Sequence, residues 1–576
     1  MDKKVYEFIS TKINPAKDGA GDPIVEWKTC KVSGQEFPIY KSDLEFYDKI
    51  SPIFNGKKYS IPTPTLCPDE RQRRRLAFRN DRKLYRRTCD GTGKQIISIY
   101  SPDKPYTVYD QQSWRSDGWD PLSFGKDVDF TRPFFDQLDE LMHKVPQLSL
   151  VTKMNENSEY VNSCGNSKNC YLIFDSDFCE DCMYCSIIKN SKNTVDGLHV
   201  YYCENTYNCI NCTESYNLIS CRECDRSKFL RNCSKCSNCE YCFNCNNLIN
   251  KKYCIENKQY TKEEYEEKMA SEKFSYTYPN SLARSTYTVN DEWGIGNNLY
   301  GAKNCTFSYN IGYAEDLKYC ELVTWASNCY DVSSYGGELE NSYQACSIWF
   351  KTNRIFFSSV ITSWCYDVYY SYTAGGCNNI FGCVWLREKS YCILNKQYTK
   401  EEYEALVPKI IEHMKKNWER WEFFSPALSP FGYNETIAQD YHPLTKQQAI
   451  DQWYKRQDVD YDAKIPQDMP TLQGDAIPHD IKNVDDSILN AILICEVTGK
   501  PFRIQKAELE FYRKNNLPLP HKHPDQRHEE RMKQLTPRTL FLKTCDHCWE
   551  EVLSVYDKNY SGKVYCTACY NKEIYW

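Results

Sequence analysis

The chain has no apolar run approaching the roughly 18 residues that a membrane-spanning helix needs. Its opening residues, MDKKVYEFISTKINPAKDGAGDP, contain no apolar core of a secretory signal. Both absences predict a cytoplasmic protein with no membrane partner. Histidine is scarce, at 9 of 576 residues, so there is little material for general acid–base work at neutral pH. Four catalytic or nucleotide-binding motifs are missing: HExxH, GxSxG, GxGxxG and the phosphate-binding loop. Gly93-Lys94 lacks the earlier glycine and is followed by Gln95. No small-molecule cofactor is therefore readable. Neither sign of charge dominates, with 72 basic against 78 acidic residues, which excludes a uniformly basic nucleic-acid coat but not a local basic patch.

What is abundant is cysteine, 32 residues, and tyrosine, 46. Without an export signal, that many cysteines predict thiols and metal ligands rather than a disulfide framework. The two ends repeat each other. CKVSGQEFPIYKSDLEFYDK (Cys30 to Lys49) matches CEVTGKPFRIQKAELEFYRK (Cys495 to Lys514). The match continues from Cys67-Pro68-Asp69 onto His523-Pro524-Asp525, and from Cys89 onto Cys545. In the C-terminal copy, Cys545 and Cys548 precede Cys566 and Cys569 by a 17-residue gap. Two CxxC turns on a short hairpin aim four thiolates at one point, which predicts a tetrahedral, structural Zn²⁺ site with sulfurs about 4 Å apart. Cys495 and His523 form a possible second metal site with only two ligands. The N-terminal copy keeps Cys89 but has Thr92, Asp110 and Ser113 at the other three positions, so it has lost its metal. Cys30, Cys67 and Cys89 offer an alternative site there.

Between Cys164 and Cys254 lie sixteen cysteines, all on one phase of a three-residue count. Twelve-residue units follow one another from Tyr207 to Cys254, punctuated by Asn, Ser, Asp and Gly and filled with strand formers. Helical spacing does not fit multiples of three over such a length. The pattern predicts short strands stacked as a parallel β-solenoid, with cysteine as small apolar filler. Because Tyr, Phe and Leu need room, each coil is expected to hold about two twelve-residue units. The stretch duplicates itself at an offset of 135 to 138 residues, and the second half exchanges many cysteines for Tyr, Trp and Ser, which suits packing better than ligation. The run Cys233, Cys236, Cys239, Cys242, Cys245 resembles iron–sulfur spacing but lacks the final three-residue gap and the proline. Each half ends in a capping box, Thr261 with Glu264 and Thr399 with Glu402, which predicts a helix covering the open end of the sheet.

One segment displays charge. Arg71 to Arg87 holds nine basic residues and a single acid, Asp81. Arg71, Arg73, Arg74, Arg75, Arg79, Arg82, Arg86 and Arg87 are candidate phosphate contacts, with Phe78 and Tyr85 as stacking platforms. The alternative is a helix whose charges pair with the chain's own acids.

The expected architecture is mainly β. A degenerate zinc-ribbon-like α+β domain (1–125) and a helical linker (126–150) precede two solenoid lobes with capping helices (151–275 and 276–417). An aromatic and helical linker (418–490) then leads to a C-terminal zinc-ribbon domain (491–576). The terminal repeats, the NKQYTKEEYE segments and the NCxxC coils together resemble cysteine-rich zinc-ribbon and β-solenoid repeat proteins of ultra-small uncultivated bacteria of the Candidate Phyla Radiation type. That family has no assigned activity, so the resemblance implies a cytoplasmic bacterial setting and no chemistry. The expected function is a non-enzymatic zinc-binding scaffold presenting an extended surface to a macromolecule, nucleic acid or ribonucleoprotein among the candidates. The alternatives are a metal or redox protein using its stacked cysteines, and a carbohydrate-active β-helix with aspartates spread over its coils.

Overall fold

The computed structural model describes residues 1–12, 22–271, 282–289, 294–303, 305–312, 321–327, 330–340, 343–344, 352–361, 364–459, 461 and 468–575. Trp293, Cys320, Cys329, Cys346 and Trp349 lie outside them. The three-residue phase of the cysteines has a backbone cause. From Ser163 to Glu256 every third residue has φ between 46° and 59°, a left-handed corner. Asn occupies these corners more often than any other residue, because its short polar side chain tolerates that region. As far as Cys245 the residue after each corner points inward: Cys164, Cys170, Ile173, Cys182, Cys185, Ile188 and Val200 are 0–3 % exposed, whereas in the last coil Leu248 is half-buried and Lys251 is exposed.

Four such triplets close one coil. Phe174 pairs in parallel with Ser186, Ser186 with Leu198 and Leu198 with Ile210, while Lys192 pairs with Glu204 and Glu204 with Tyr216. Every step is twelve residues. The expectation of two twelve-residue units per coil is therefore wrong. Its premise fails because the large side chains are not inside: Tyr202 and Tyr216 stand on the surface, and Phe229, Tyr241 and Tyr253 stack outside the tube, with ring centroids 4.7 and 5.3 Å apart. The interior receives one small or aliphatic side chain per triplet.

Register is held by outer columns. Residues 156, 168, 180, 192 and 204 read Glu, Lys, Glu, Lys, Glu up one column, and 228, 240 and 252 read Lys, Glu, Lys. Lys168–Glu156, Lys192–Glu180 and Lys252–Glu240 close at 2.9–3.1 Å. Each pair is exposed and worth little alone, but slipping the stack by one coil would oppose like charges along the column. Asn157 donates to Asn169 and Asn169 to Asp181 in a parallel polar ladder.

The second lobe continues the plan less regularly. Tyr366, Asn378 and Ser390 keep the twelve-residue step, whereas Asn353 to Tyr366 and Ser359 to Tyr372 take thirteen. At the left-handed Gly382 an added Cβ would run into the Phe134 ring of the helix Phe134–Lys144, so that corner requires glycine. Both lobes end as their capping boxes predict. An antiparallel return, Cys254 to Gln259 and Cys392 to Gln397, pairs the last strand. The helices Lys262–Ser271 and Lys400–Lys416 follow, with Thr261 and Thr399 each accepting from the backbone of the glutamate three residues on.

The terminal copies dock crosswise. The C-terminal copy grips the first lobe: Tyr184 donates to Glu508 at 2.7 Å, Tyr207 packs on Tyr512, and Asp196 receives both Arg527 and Arg531. The N-terminal copy grips the second lobe with the matching residues: Tyr330 donates to Asp43, Tyr343 packs on Tyr47, and Asp331 receives Arg71 and Arg75. The C-terminal end also takes hold of the inter-lobe segment, where Ala283–Arg284 pairs in parallel with Val564–Tyr565.

Candidate metal centre

One local motif occurs four times, twice in each terminal copy. It begins with a cysteine whose N–H bonds to the carbonyl five residues on and whose carbonyl receives the N–H four residues on. This holds at Cys30 (2.9 and 3.0 Å), Cys89 (2.8 and 2.8 Å), Cys495 (3.0 and 2.9 Å) and Cys545 (2.9 and 3.0 Å). The turn demands a left-handed residue, supplied by Gly34, Gly93 and Gly499, and in the fourth by Trp549 at φ 66°. The motif ends at a helix start. Cys67, Asp110, His523 and Cys566 directly precede the helices Pro68–Leu76, Gln111–Arg115, Pro524–Met532 and Thr567–Tyr575.

Two further places complete a four-cornered site: the third residue after the turn cysteine and the third after the helix-start residue. The four sets read Cys30-Ser33-Cys67-Glu70, Cys89-Thr92-Asp110-Ser113, Cys495-Thr498-His523-Gln526 and Cys545-Cys548-Cys566-Cys569. Only the last is all thiol. Its ligand atoms lie within 4.8 Å of one another, somewhat wider than the 4 Å expected, with Cys548 and Cys566 sulfurs 3.8 Å apart. Cys545 is buried, Cys566 and Cys569 are half-buried and Cys548 is exposed. Burial works against ionisation of Cys545, but backbone N–H groups of Cys548, Cys566 and His547 directed at its sulfur outweigh it and hold the thiol down to about 7. The Cys566 N–H reaches that sulfur at 3.2 Å, and the Cys569 N–H reaches the Cys566 sulfur at 3.4 Å. An all-sulfur, four-cornered donor set with backbone N–H support fits a tetrahedral thiophilic metal ion.

The structure does bring Cys495 and His523 together, the His523 N–H facing the Cys495 sulfur. However, His523 Nδ1 is taken by the Asp525 N–H at 3.1 Å, and Thr498 and Gln526 stand at the other corners. Cys30 and Cys67 face each other, but Cys89 belongs to a different site, bonded to Asp110. The three cysteines of the alternative site are thus not assembled.

The solenoid cysteines behave as filler. Each inward sulfur donates to the carbonyl two residues back and, in most coils, to the one nine residues on, as Cys221 does to Ile219 and Leu230 at 3.4 and 3.5 Å. Inward serines make the same bonds, Ser227 to Asp225 and Cys236, so Ser and Cys fill the same kind of place in the tube. Burial pushes the Cys164, Cys182, Cys209, Cys212 and Cys221 thiols well above the ordinary range, which keeps them protonated donors. A thiol reagent applied to the folded, metal-stripped protein is therefore expected to reach Cys548, Cys566 and Cys569 and spare the tube. The denatured, unreduced chain should titrate near its full 32 cysteines. Rapid labelling of Cys221 in the folded state would defeat this account.

The arginine run is largely turned inward. Arg71, Arg75, Arg79 and Arg87 are 0–8 % exposed. Arg79 bonds Asp81 and Asp175 at 2.8 and 2.9 Å, Arg82 bonds Ser186 at 2.7 Å and faces Asp525, Arg73 pairs with Glu70, and Arg87 bonds Asp90 at 3.1 Å. Phe78 is buried against Phe423 and Phe424, and Tyr85 donates to Glu435 at 2.8 Å. These placements correspond to the acid-paired reading of the run. Arg86 is exposed, and Arg74 is partly so.

Among the described residues no helix is long and apolar enough to cross a membrane. No model of a known protein family matches the chain, and no curated protein is similar to it.

Proposed function

We propose that this chain is a non-enzymatic, zinc-holding scaffold: a rigid β-solenoid clasped at both ends by zinc-ribbon-like domains and offered to a macromolecular partner in the cytoplasm. The observation that carries the reading is the contrast between its two cysteine populations. Tube thiols such as Cys221 donate to their own backbone, whereas Cys545, Cys548, Cys566 and Cys569 turn four sulfurs toward one point. Bound there, Zn²⁺ would cross-link the hairpin Phe541–Thr544/Glu551–Ser554 to the helix Thr567–Tyr575. A closed four-sulfur site leaves no position for substrate, so its role is structural.

Replacing Cys548 by Ser is expected to lower zinc from one per chain to none. Amide exchange should then quicken from about residue 541 to 575 while the solenoid keeps its protection. Unchanged zinc content in that variant sinks the assignment. For the partner, nucleic acid remains the class with visible chemistry, now resting on Arg74 and Arg86 rather than on the whole run. Changing both to Glu should weaken binding to single-stranded RNA and leave the melting temperature alone. A wild type that binds RNA no better than a neutral control removes nucleic acid from the reading.

A further inference from the structure

The site at Cys89 has the same backbone as the four-cysteine site at Cys545. The Asp110 N–H reaches the Cys89 sulfur at 3.3 Å, as the Cys566 N–H reaches Cys545 at 3.2 Å. Asp90 accepts from the Val108 N–H at 2.7 Å and donates its own N–H to the Val108 carbonyl at 2.9 Å. Asp546 does both with Val564, at 2.6 and 3.0 Å. The hairpins match as well, Tyr85 facing Ser98 and Phe541 facing Ser554.

What differs is the centre. In the N-terminal copy one atom, Asp110 Oδ2, receives the Cys89 thiol at 3.1 Å, the Thr92 hydroxyl at 3.1 Å and the Ser113 hydroxyl at 2.9 Å. The other carboxylate oxygen receives the Ser113 N–H at 2.9 Å. These three side-chain donors come from the three remaining corners of the site. A cation bound by four thiolates needs anions around it, whereas a carboxylate needs hydrogen donors, and neutral Cys, Thr and Ser supply them.

We propose that Cys89, Thr92, Asp110 and Ser113 form a metal site with its charge inverted, the Asp110 carboxylate standing where a metal ion stands in the C-terminal copy. The inference rests on the metal reading of Cys545, Cys548, Cys566 and Cys569. It makes the N-terminal copy independent of metal and latent as a metal site. Metal then controls only the C-terminal clasp, which holds the inter-lobe strand, and the grip of Arg71 and Arg75 on the second lobe does not respond to it.

The test is the triple variant Thr92→Cys, Asp110→Cys, Ser113→Cys, expressed with zinc and analysed by elemental mass spectrometry. The expected result is a rise from one zinc per chain to two. A folded variant that keeps one zinc overturns the inference and leaves the C-terminal assignment intact. Zero zinc in both the wild type and the variant overturns the metal reading itself. A second measurement covers a variant that does not fold: hydrogen exchange on the wild type after chelation. Peptides covering 541–575 should lose protection while those covering 85–115 keep it, and equal loss in both would overturn the proposal.

Discussion

Replacing Asp196 by Asn is expected to cost about 3–5 kcal/mol, the penalty for breaking a buried ion pair by removing one partner. Asp196 is 1 % exposed and holds two guanidinium groups, Arg531 at 2.9 Å and Arg527. Its backbone is left-handed, φ 59°, a conformation that Asn adopts readily, so the change removes charge and little else. Among the described residues Arg527 then keeps one carboxylate, Glu508 at 3.6 Å. In urea melts the lost stability should come with early proteolysis near residue 490, as the C-terminal copy lets go of the first lobe. Asp331→Asn should do the same to the N-terminal copy, because Arg71 and Arg75 meet Asp331 at 3.0 and 3.7 Å. A loss below about 1 kcal/mol in both variants would mean that the clasps are held by Tyr184, Tyr207, Tyr330 and Tyr343 instead.

The crossed docking gives the two duplications one meaning. Asp331 stands 135 residues after Asp196, the offset at which the lobes repeat, and Asp43, Tyr47, Arg71 and Arg75 correspond to Glu508, Tyr512, Arg527 and Arg531. Each terminal copy therefore recognises its lobe by the same buried triad of two arginines and an aspartate. The chain order places each copy beside the wrong lobe, so the ends must cross. A molecule closed in that way ties its first hundred residues to its fourth hundred, and its last hundred to its second hundred.

Much of this was readable from spacing. Cysteine phase gives one inward residue per triplet, and the capping boxes give both terminal helices, because each depends on residues a few positions apart. Coil size was not readable from residue volume, since volume says how much room Tyr and Phe need but not on which side of the wall they stand. The alternation Glu156, Lys168, Glu180, Lys192, Glu204 carried the answer in plain view: a column repeating every twelve residues with alternating sign makes sense only if those residues are neighbours. The burial of most of the arginine run was not readable for a related reason. Composition shows nine positive charges, and Glu70, Asp81 and Asp90 pair with three of them locally, but the partners Asp331, Asp175 and Asp525 of Arg71, Arg79 and Arg82 are between 96 and 443 residues away, beyond any local pattern. At Asp110 the sequence showed a lost ligand, and only the convergence of three donors on one oxygen shows what replaced it.

The triplet geometry makes its sharpest demand at adjacent residues. Leu218 is fully buried inside the tube, between Thr206 and Leu230 of the neighbouring coils, while Asn217 is the half-exposed corner before it. Leu218→Asp places a carboxyl among thiols and aliphatic groups that offer it no cation, and should cost at least about 4 kcal/mol at neutral pH. Asn217→Asp, one residue away, should stay within about 0.5 kcal/mol, because Asp also accepts the left-handed corner and its charge meets water. The cost at 218 should depend on pH in a known direction. Burial raises the folded-state pKa of the new carboxyl above its unfolded value of about 3.9, so the native state binds the extra proton. The penalty relative to wild type is therefore smallest near pH 4 and grows as pH rises through the folded-state pKa. Urea melts of both variants and the wild type at pH 4.5 and pH 8 measure it. Equal penalties at 217 and 218 would place the wall of the tube elsewhere, since a one-residue shift in phase exchanges the inside of every coil with its corners.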